Sequence, residues 1–293
     1  MQFASFTLIF LFLPITMLLF YLTPNRWKRE VMLGISLLFL CIGGWLAAVV
    51  EILLTALTYG VGLLLEHLRQ RKHFSRLVLT GSILLHFGAL LLLRSDWLFS
   101  LKAGWFSGKS LFPLGLAFFT LQSVGYCIDV FRGKIHGEKN WRQLGLYLLF
   151  YPRLIMGPVV SYSVAVKSLC TPVFDIARVG QGLLRFLVGL GKKLILANWL
   201  GMLFQTLCQA DTGTYSLMLV WLGAFAQLMT LYLELSGYAD MAIGLGLCYG
   251  VRLPESFGKS LFYPSMAAFA DQWNRTVVQW FSHYVGTHFR GKN

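Results

Sequence analysis

The stretch 231–244 holds most of the side chains that could do chemistry. Tyr232, Glu234, Ser236, Tyr238 and Asp240 fall close together in otherwise apolar sequence, with Gly237 among them. Ionisable groups at membrane depth are costly and mark functional sites. Asp240 could orient a polar partner, and Ser236 could donate to a carbonyl. Gly237 and its small neighbours would let a backbone or a ligand come close. A structural alternative stands beside this one: Glu234 and Asp240 at a helix end, in water or paired with arginine.

Two further groups follow. Phe150 to Pro158 places Pro152, Arg153 and Pro158 inside an apolar run. Proline withholds a backbone donor, so the segment is either a broken helix lining a cavity or two interfacial helix ends. Between Tyr263 and Tyr284, Phe269, Trp273, Val277, Trp280 and Tyr284 recur at helical spacing, while Asp271, Arg275 and Ser282 fall elsewhere. The pattern predicts an amphipathic helix over about 265–285, N-capped by Ser265, in or dipping from the membrane interface.

The histidines are His67, His73, His86, His136, His283 and His288. None has metal-ligand spacing to a carboxylate or cysteine, so no metal site is expected. His86 lies in an apolar run and reads as a satisfied core histidine. Only His283 sits beside the C-terminal group. The five cysteines are spread through apolar segments and read as small buried hydrophobes.

These groups are held by an apolar chain. Hydrophobic residues make up 57% of the 293 residues and charged ones only 13%, and the mean hydropathy is +0.65. So little polar surface cannot cover a soluble body of this size. Spans of roughly 20 apolar residues are expected near 5–22, 31–49, 51–65, 77–93, 111–131, 143–160, 183–200, 216–234 and 237–251, as one all-α polytopic domain over 1–293. The first span lacks an early basic residue and a cleavage site, and reads as a helix rather than a signal peptide. The net charge of +13 sits in short loops, where it suits an anionic leaflet and not nucleic acid. Basic loops at Arg26–Arg29, Glu66–Arg76 and Arg132–Arg142, with none at the link near Glu51, place the N-terminus outside. The weaker segment Arg94–Lys109, with Trp97 and Trp105, would lie outside.

In order along nearly the whole chain, the motifs resemble the membrane-bound O-acyltransferases, in the bacterial branch of alginate O-acetyltransferases and D-alanyl-lipoteichoic acid transfer proteins. The resemblance is carried by Phe6–Pro24, Leu114–Gln122 with Asp129–Gly133, and Phe150–Val159. It is most specific at Ser236–Gly244 and Leu253–Phe257. It implies a partial helical ring, with broken or re-entrant helices around a tunnel lined by Tyr232, Glu234, Gly237, Tyr238, Trp273, Pro152, Arg153 and Pro158. An acyl group, expected to be acetyl, would pass from acyl-CoA or an acyl-carrier thioester toward a cell-surface polysaccharide. No bound cofactor is implied. The implied location is the bacterial inner membrane. The implied partners are the bilayer, a secreted or periplasmic acyltransferase, and a C-terminal fragment in trans.

Where the family pattern usually reads Trp-His, this chain reads Trp273-Asn274. An amide hydrogen-bonds but does not accept a proton at neutral pH. The family's other histidine lies beyond the equivalent of Asn293, so the chain resembles the N-terminal two-thirds of such an enzyme. Asn274, Asp240 and Ser236 are then the catalytic candidates, with Asn274 positioning the acyl or acceptor group. The rival readings are a non-catalytic scaffold and a transporter-like subunit, although no repeated halves are visible.

Overall fold

The computed structural model describes residues 6–94, 115–154, 156–170, 175–209, 216–258 and 263–286. Every regular element among them is helical. A π-helical turn (Leu8–Phe12) leads into α1 (Leu13–Leu22), followed by α2 (Lys28–Gly43), α3 (Trp45–His67), α4 (Lys72–Arg94) and α5 (Leu116–Phe131). Then come α6 (Trp141–Leu149), α7 (Tyr151–Leu154), α8 (Tyr162–Cys170) and α9 (Ile176–Gly191). A π segment (Lys192–Ala197) joins α9 to α10 (Asn198–Gln209). The last elements are α11 (Leu217–Cys248), α12 (Met266–Gln272), α13 (Arg275–Phe281) and a π turn (Ser282–Gly286). The expected opening of a span at Leu111–Pro113, the tryptophan-bearing loop and His288 lie outside the described residues.

Among the described residues, four helical stretches are long and apolar enough to cross a bilayer: Trp45–His67, Lys72–Leu93, Ile176–Gln209 and Leu217–Cys248. The chain is an all-α polytopic membrane protein, since helices satisfy their own backbone groups in lipid.

Several boundaries differ from those read in the sequence, each for a local reason. The second and third spans part at Gly43-Gly44, not near Glu51. A glycine pair interrupts a helix more readily than one carboxylate does. Glu51 instead lies inside α3, fully buried, and neither carboxylate oxygen has a hydrogen-bond partner among the described residues. The run 143–160 breaks into α6, the single turn α7 and an extended piece. Pro152 is tolerated because it sits in the first turn of α7. The two spans expected at 216–234 and 237–251 are one helix, α11, of 32 residues. Ser236-Gly237 does not stop it, because a neighbouring helix fills the space a side chain would take.

That neighbour is α9, which runs antiparallel to α11. A Cβ built on Gly189 would stand 2.6 Å from Gly237 O, and one on Gly182 would stand 2.6 Å from Gly244 O. Small residues let the two backbones touch, and touching backbones are how helices associate where lipid removes the hydrophobic drive.

Helices α1 to α8 form the other body of the fold around a large apolar core, to which α11 adds Met241, Leu245 and Tyr249. A buried polar seam runs between α3, α4 and α5. His86 Nδ1 meets Ser82 O at 2.8 Å, and its Nε2 lies 3.0 Å from Thr58 Oγ1. His86 is thus the satisfied core histidine the sequence suggested.

The basic loops gather at one end. Arg69 Nη2 approaches Gly133 O at 3.5 Å, His136 bonds Glu66 at 2.9 Å, and Arg29 and Arg142 line one small cavity. Tyr21, just before the first basic loop, donates to Cys248 O, so the C-terminal end of α11 lies at this basic end.

Candidate functional site

Asp240 lies eight residues before Cys248 on α11, about 12 Å along the helix from the basic end at 1.5 Å per residue. Two cations from the α9 side hold it. Arg185 donates to Asp240 Oδ1 from Nε at 3.1 Å and from Nη2 at 2.9 Å, while Lys192 Nζ reaches Oδ2 at 2.6 Å. Arg185 is shared. Its Nη1 also donates to Glu255 Oε1 at 2.6 Å and its Nη2 to Glu255 Oε2. Glu255 sits on an irregular strap, Val251–Gly258, that follows α11 and folds back across it.

Between α9, α11 and the strap is a cavity of about 170 Å³. Arg185, Lys192, Tyr232, Ser236, Asp240 and Ser256 are among its lining residues. The hydroxyls of Ser236 and Ser256 are buried and have no hydrogen-bond partner among the described residues. Buried hydroxyls ordinarily find one. Elsewhere in these helices hydroxyls bond the carbonyl four residues back, as Ser36 does to Met32 and Thr230 to Ala226. Ser236 makes no such bond.

Beyond Glu255, three contacts fasten the far end of the strap. Arg275 N donates to Ser256 O at 2.6 Å and Gly258 N to Gln272 O at 3.2 Å. The ring of Phe257 packs against Tyr232 and Trp273, with centroids 5.8 and 6.0 Å away.

The predicted amphipathic helix over 265–285 is two short helices that meet at Asn274. Ser265 does cap α12, accepting from Ala268 N at 3.2 Å. Asn274 takes a left-handed conformation (φ +47°), which asparagine tolerates better than most residues. The corner splits the expected apolar face in two. Phe269 and Trp273 turn toward Tyr232 and Phe257. Trp280 and Tyr284 pack on Val124 of α5. Tyr284 donates to Asp129 Oδ2 at 2.7 Å. Burial, then this bond to a carboxylate, pushes its phenol pKa well up, so it remains the donor. Lys134 Nζ lies 2.7 Å from His283 Nε2 on the same surface.

The structure therefore brings Tyr232, Ser236 and Asp240 together and adds Trp273 at the cavity edge. It leaves the other candidates elsewhere. Gly237 serves the α9 seam, and Glu234 pairs with Lys193. Tyr238 receives the Lys193 ammonium over its ring at 5.4 Å. Asn274 is a corner residue whose Oδ1 accepts weakly from Thr276 Oγ1 at 3.4 Å, and it is not among the cavity-lining residues. Pro152, Arg153 and Pro158 are buried in a separate region. There Arg153 donates to Tyr147 O and lies over the rings of Tyr147 and Phe150. The alternative reading, with both carboxylates at a helix end in water or paired with arginine, holds only for the pairing of Asp240 with Arg185: Glu234 and Asp240 both lie inside α11, and Glu234 meets a lysine.

Arg185 and Lys192 belong to no motif of the sequence, and Glu255 and Ser256 belong to one, Leu253–Phe257, that gives them no role. Three cations inside the predicted span 183–200, Arg185, Lys192 and Lys193, were the available signal, since charge within an apolar run needs a partner.

No protein-family model matches the chain. It is similar over 97% of its length to the probable alginate O-acetylase AlgI of Azotobacter vinelandii, at 29% identity and covering 59% of that protein. The protein of the same description from Pseudomonas putida is 30% identical over 97% of the chain, which covers 60% of it. A peptidoglycan O-acetyltransferase of Helicobacter pylori is 26% identical over 59% of the chain, covering 38% of that enzyme. The chain thus spans well under two thirds of the length of these curated relatives.

Proposed function

Since the chain belongs to the membrane-bound O-acyltransferase family, we propose that it is the membrane-embedded acyl-handling part of an envelope O-acyltransferase, with acetyl as the acyl group and a cell-surface polysaccharide as the acceptor. One observation carries the reading. The two stretches most specific for the family, Ser236–Gly244 and Leu253–Phe257, form opposite walls of the cavity that holds the unpartnered Ser236 and Ser256 hydroxyls.

The transfer joins an acceptor hydroxyl to the acyl carbon of a thioester and releases a thiol. The hydroxyl proton ends on sulfur. Ser236 and Ser256 would donate to the donor or acceptor bound in the cavity, holding it in position for transfer. Asp240 fixes Arg185 and Lys192 rather than accepting a proton, because both its oxygens already bond cations. Asn274 shapes the corner that carries Trp273 to the cavity edge. The general base would come from a C-terminal fragment supplied in trans or from a secreted or periplasmic acyltransferase partner. The chain would work as a single domain in the bacterial inner membrane, N-terminus outside. The clustering of the basic loops at one end supports that orientation. The donor would be acyl-CoA or an acyl-carrier thioester reaching the cavity from the basic end.

A scaffold reading is favoured by one observation: among the described residues, no imidazole lines the cavity. Membranes containing this chain and the C-terminal part of a related alginate O-acetylase separate the two. With labelled acetyl-CoA, the acyl-handling reading expects incorporation that falls about tenfold in Ser236→Ala and in Asp240→Asn, a tenfold change corresponding to about 1.4 kcal/mol of transition-state stabilisation. Incorporation unchanged in both variants would make the chain a scaffold.

A further inference from the structure

The cavity presents mostly donors. Arg185 and Lys192 bring charged N–H groups, and Ser236 and Ser256 bring two buried hydroxyls with nothing to bond. The acceptors in its wall are of unequal strength. The Asp240 side chain is 16% exposed and held on both oxygens, whereas that of Glu255 is 51% exposed and hangs from the strap. Two cations face two carboxylates, so the wall is neutral as it stands. Releasing Glu255 to water leaves one positive charge and a vacant guanidinium edge.

We propose that the cavity is an oxyanion site, taking a phosphate or carboxylate on Arg185, and that Glu255 is the internal counter-ion this group displaces. The exchange is matched in charge and geometry. A guanidinium binds any planar or tetrahedral oxyanion through two parallel N–H bonds, so the ligand takes over what Glu255 gives up. Glu255 loses little on leaving, because half-exposed ion pairs are weak. The ligand gains what Glu255 cannot reach, the Ser236 and Ser256 hydroxyls. Each hydroxyl bond contributes about fivefold in affinity. The cavity, with room for about five waters at roughly 30 Å³ each, admits such a group with part of its hydration shell.

Displacing Glu255 also loosens the strap. Beyond Glu255 the strap keeps the Arg275 N–Ser256 O and Gly258 N–Gln272 O bonds and the Phe257 ring, and before it Val251 N donates to Gly246 O at 2.8 Å. Glu255 is thus both a place-holder for the ligand and a latch.

Two sources carry this chemistry: the phosphate of a pantetheine-type thioester carrier, and the carboxylate of an acidic sugar. The inference concerns the same cavity as the acyl-transfer reading and rests on it only for the identity of these sources.

The test is calorimetric titration of the full chain in detergent with inorganic phosphate, then with phosphopantetheine, pantetheine and glucuronate. Saturable phosphate binding is expected, up to about fivefold tighter in Glu255→Gln, which removes the competitor, and about fivefold weaker in Ser256→Ala. Phosphopantetheine binding where pantetheine fails assigns the site to the carrier, and glucuronate binding in preference to phosphopantetheine assigns it to the sugar. The opposite signs of the two variants guard against a misfolding artefact. Absence of saturable phosphate binding in both the parent and Glu255→Gln, or weaker binding in Glu255→Gln, overturns the inference. Acetyl incorporation that persists without phosphate binding sinks this inference alone. Phosphate binding without incorporation sinks the acyl-transfer reading alone.

Discussion

Alanine at Gly189 tests the seam that carries the site. A methyl there would stand 2.6 Å from Gly237 O, 2.8 Å from Met241 N and 2.9 Å from Met241 Cγ. Two of these atoms are backbone and cannot rotate away. Relief to the 3.4 Å of ordinary contact requires α9 and α11 to part by about 0.8 Å. Overpacking of this kind costs about 1–3 kcal/mol, and the helix propensity gained by replacing glycine returns up to about 1 kcal/mol. The net loss is then about 1–2 kcal/mol. The same parting would carry Arg185 beyond hydrogen-bond range of Asp240, now at 2.9–3.1 Å. Gly180, on the same helix, is the control, since a Cβ there meets nothing within 4 Å. Alanine at 180 keeps only the propensity term and stabilises by about 0.5–1 kcal/mol. Cys248 is a built-in reporter, buried in this seam with Sγ 3.8 Å from Val179 O. With Cys248 as the sole cysteine, labelling by a thiol-reactive fluorophore during heating follows opening of the seam. Gly189→Ala should label at lower temperature than the parent and Gly180→Ala at higher. If Gly189→Ala proves as resistant as Gly180→Ala, the contact between backbones does not hold these helices together.

Two further outcomes are expected. Asn274→Gly should keep the fold and any incorporation, because glycine adopts φ +47° freely, while Asn274→Val should lower stability by about 1–2 kcal/mol; loss of incorporation in a folded Asn274→Gly would give the amide a chemical role. Glu51→Leu should raise the unfolding temperature in detergent, since it replaces a buried, unpartnered carboxylate by apolar volume worth at least about 1 kcal/mol; a lower unfolding temperature would mean that Glu51 has a partner.

The helical class, the apolar rods and Ser236, Asp240 and Tyr232 as a group were legible from composition and from the cost of polar groups in lipid. Breaks were less so. Ser236-Gly237 reads as an interruption when its neighbours are unknown, yet it continues α11 because Gly189 lies opposite. Asn274 sits in a helical pattern whose period gives no sign of a left-handed corner. Leu253–Phe257 reads as a motif, but that Glu255 meets Arg185 depends on two segments 70 residues apart. Such pairings are set by tertiary packing, and periodicity is blind to them.

The π segment at Lys192–Ala197 acts as a phase adjuster within one rod. An extra residue in a turn swings every later side chain by about 100° relative to an unbroken α-helix. Before it, α9 turns Gly182 and Gly189 to α11; after it, α10 still turns Gly201 there, a built Cβ lying 3.6 Å from Thr230 Cγ2. Removing one residue from this stretch would leave the charged half of the rod where it is and spin α10 away from its partner. The two halves are therefore aligned by a local gear, and chain length at this one point sets how the far end of the rod faces its neighbours.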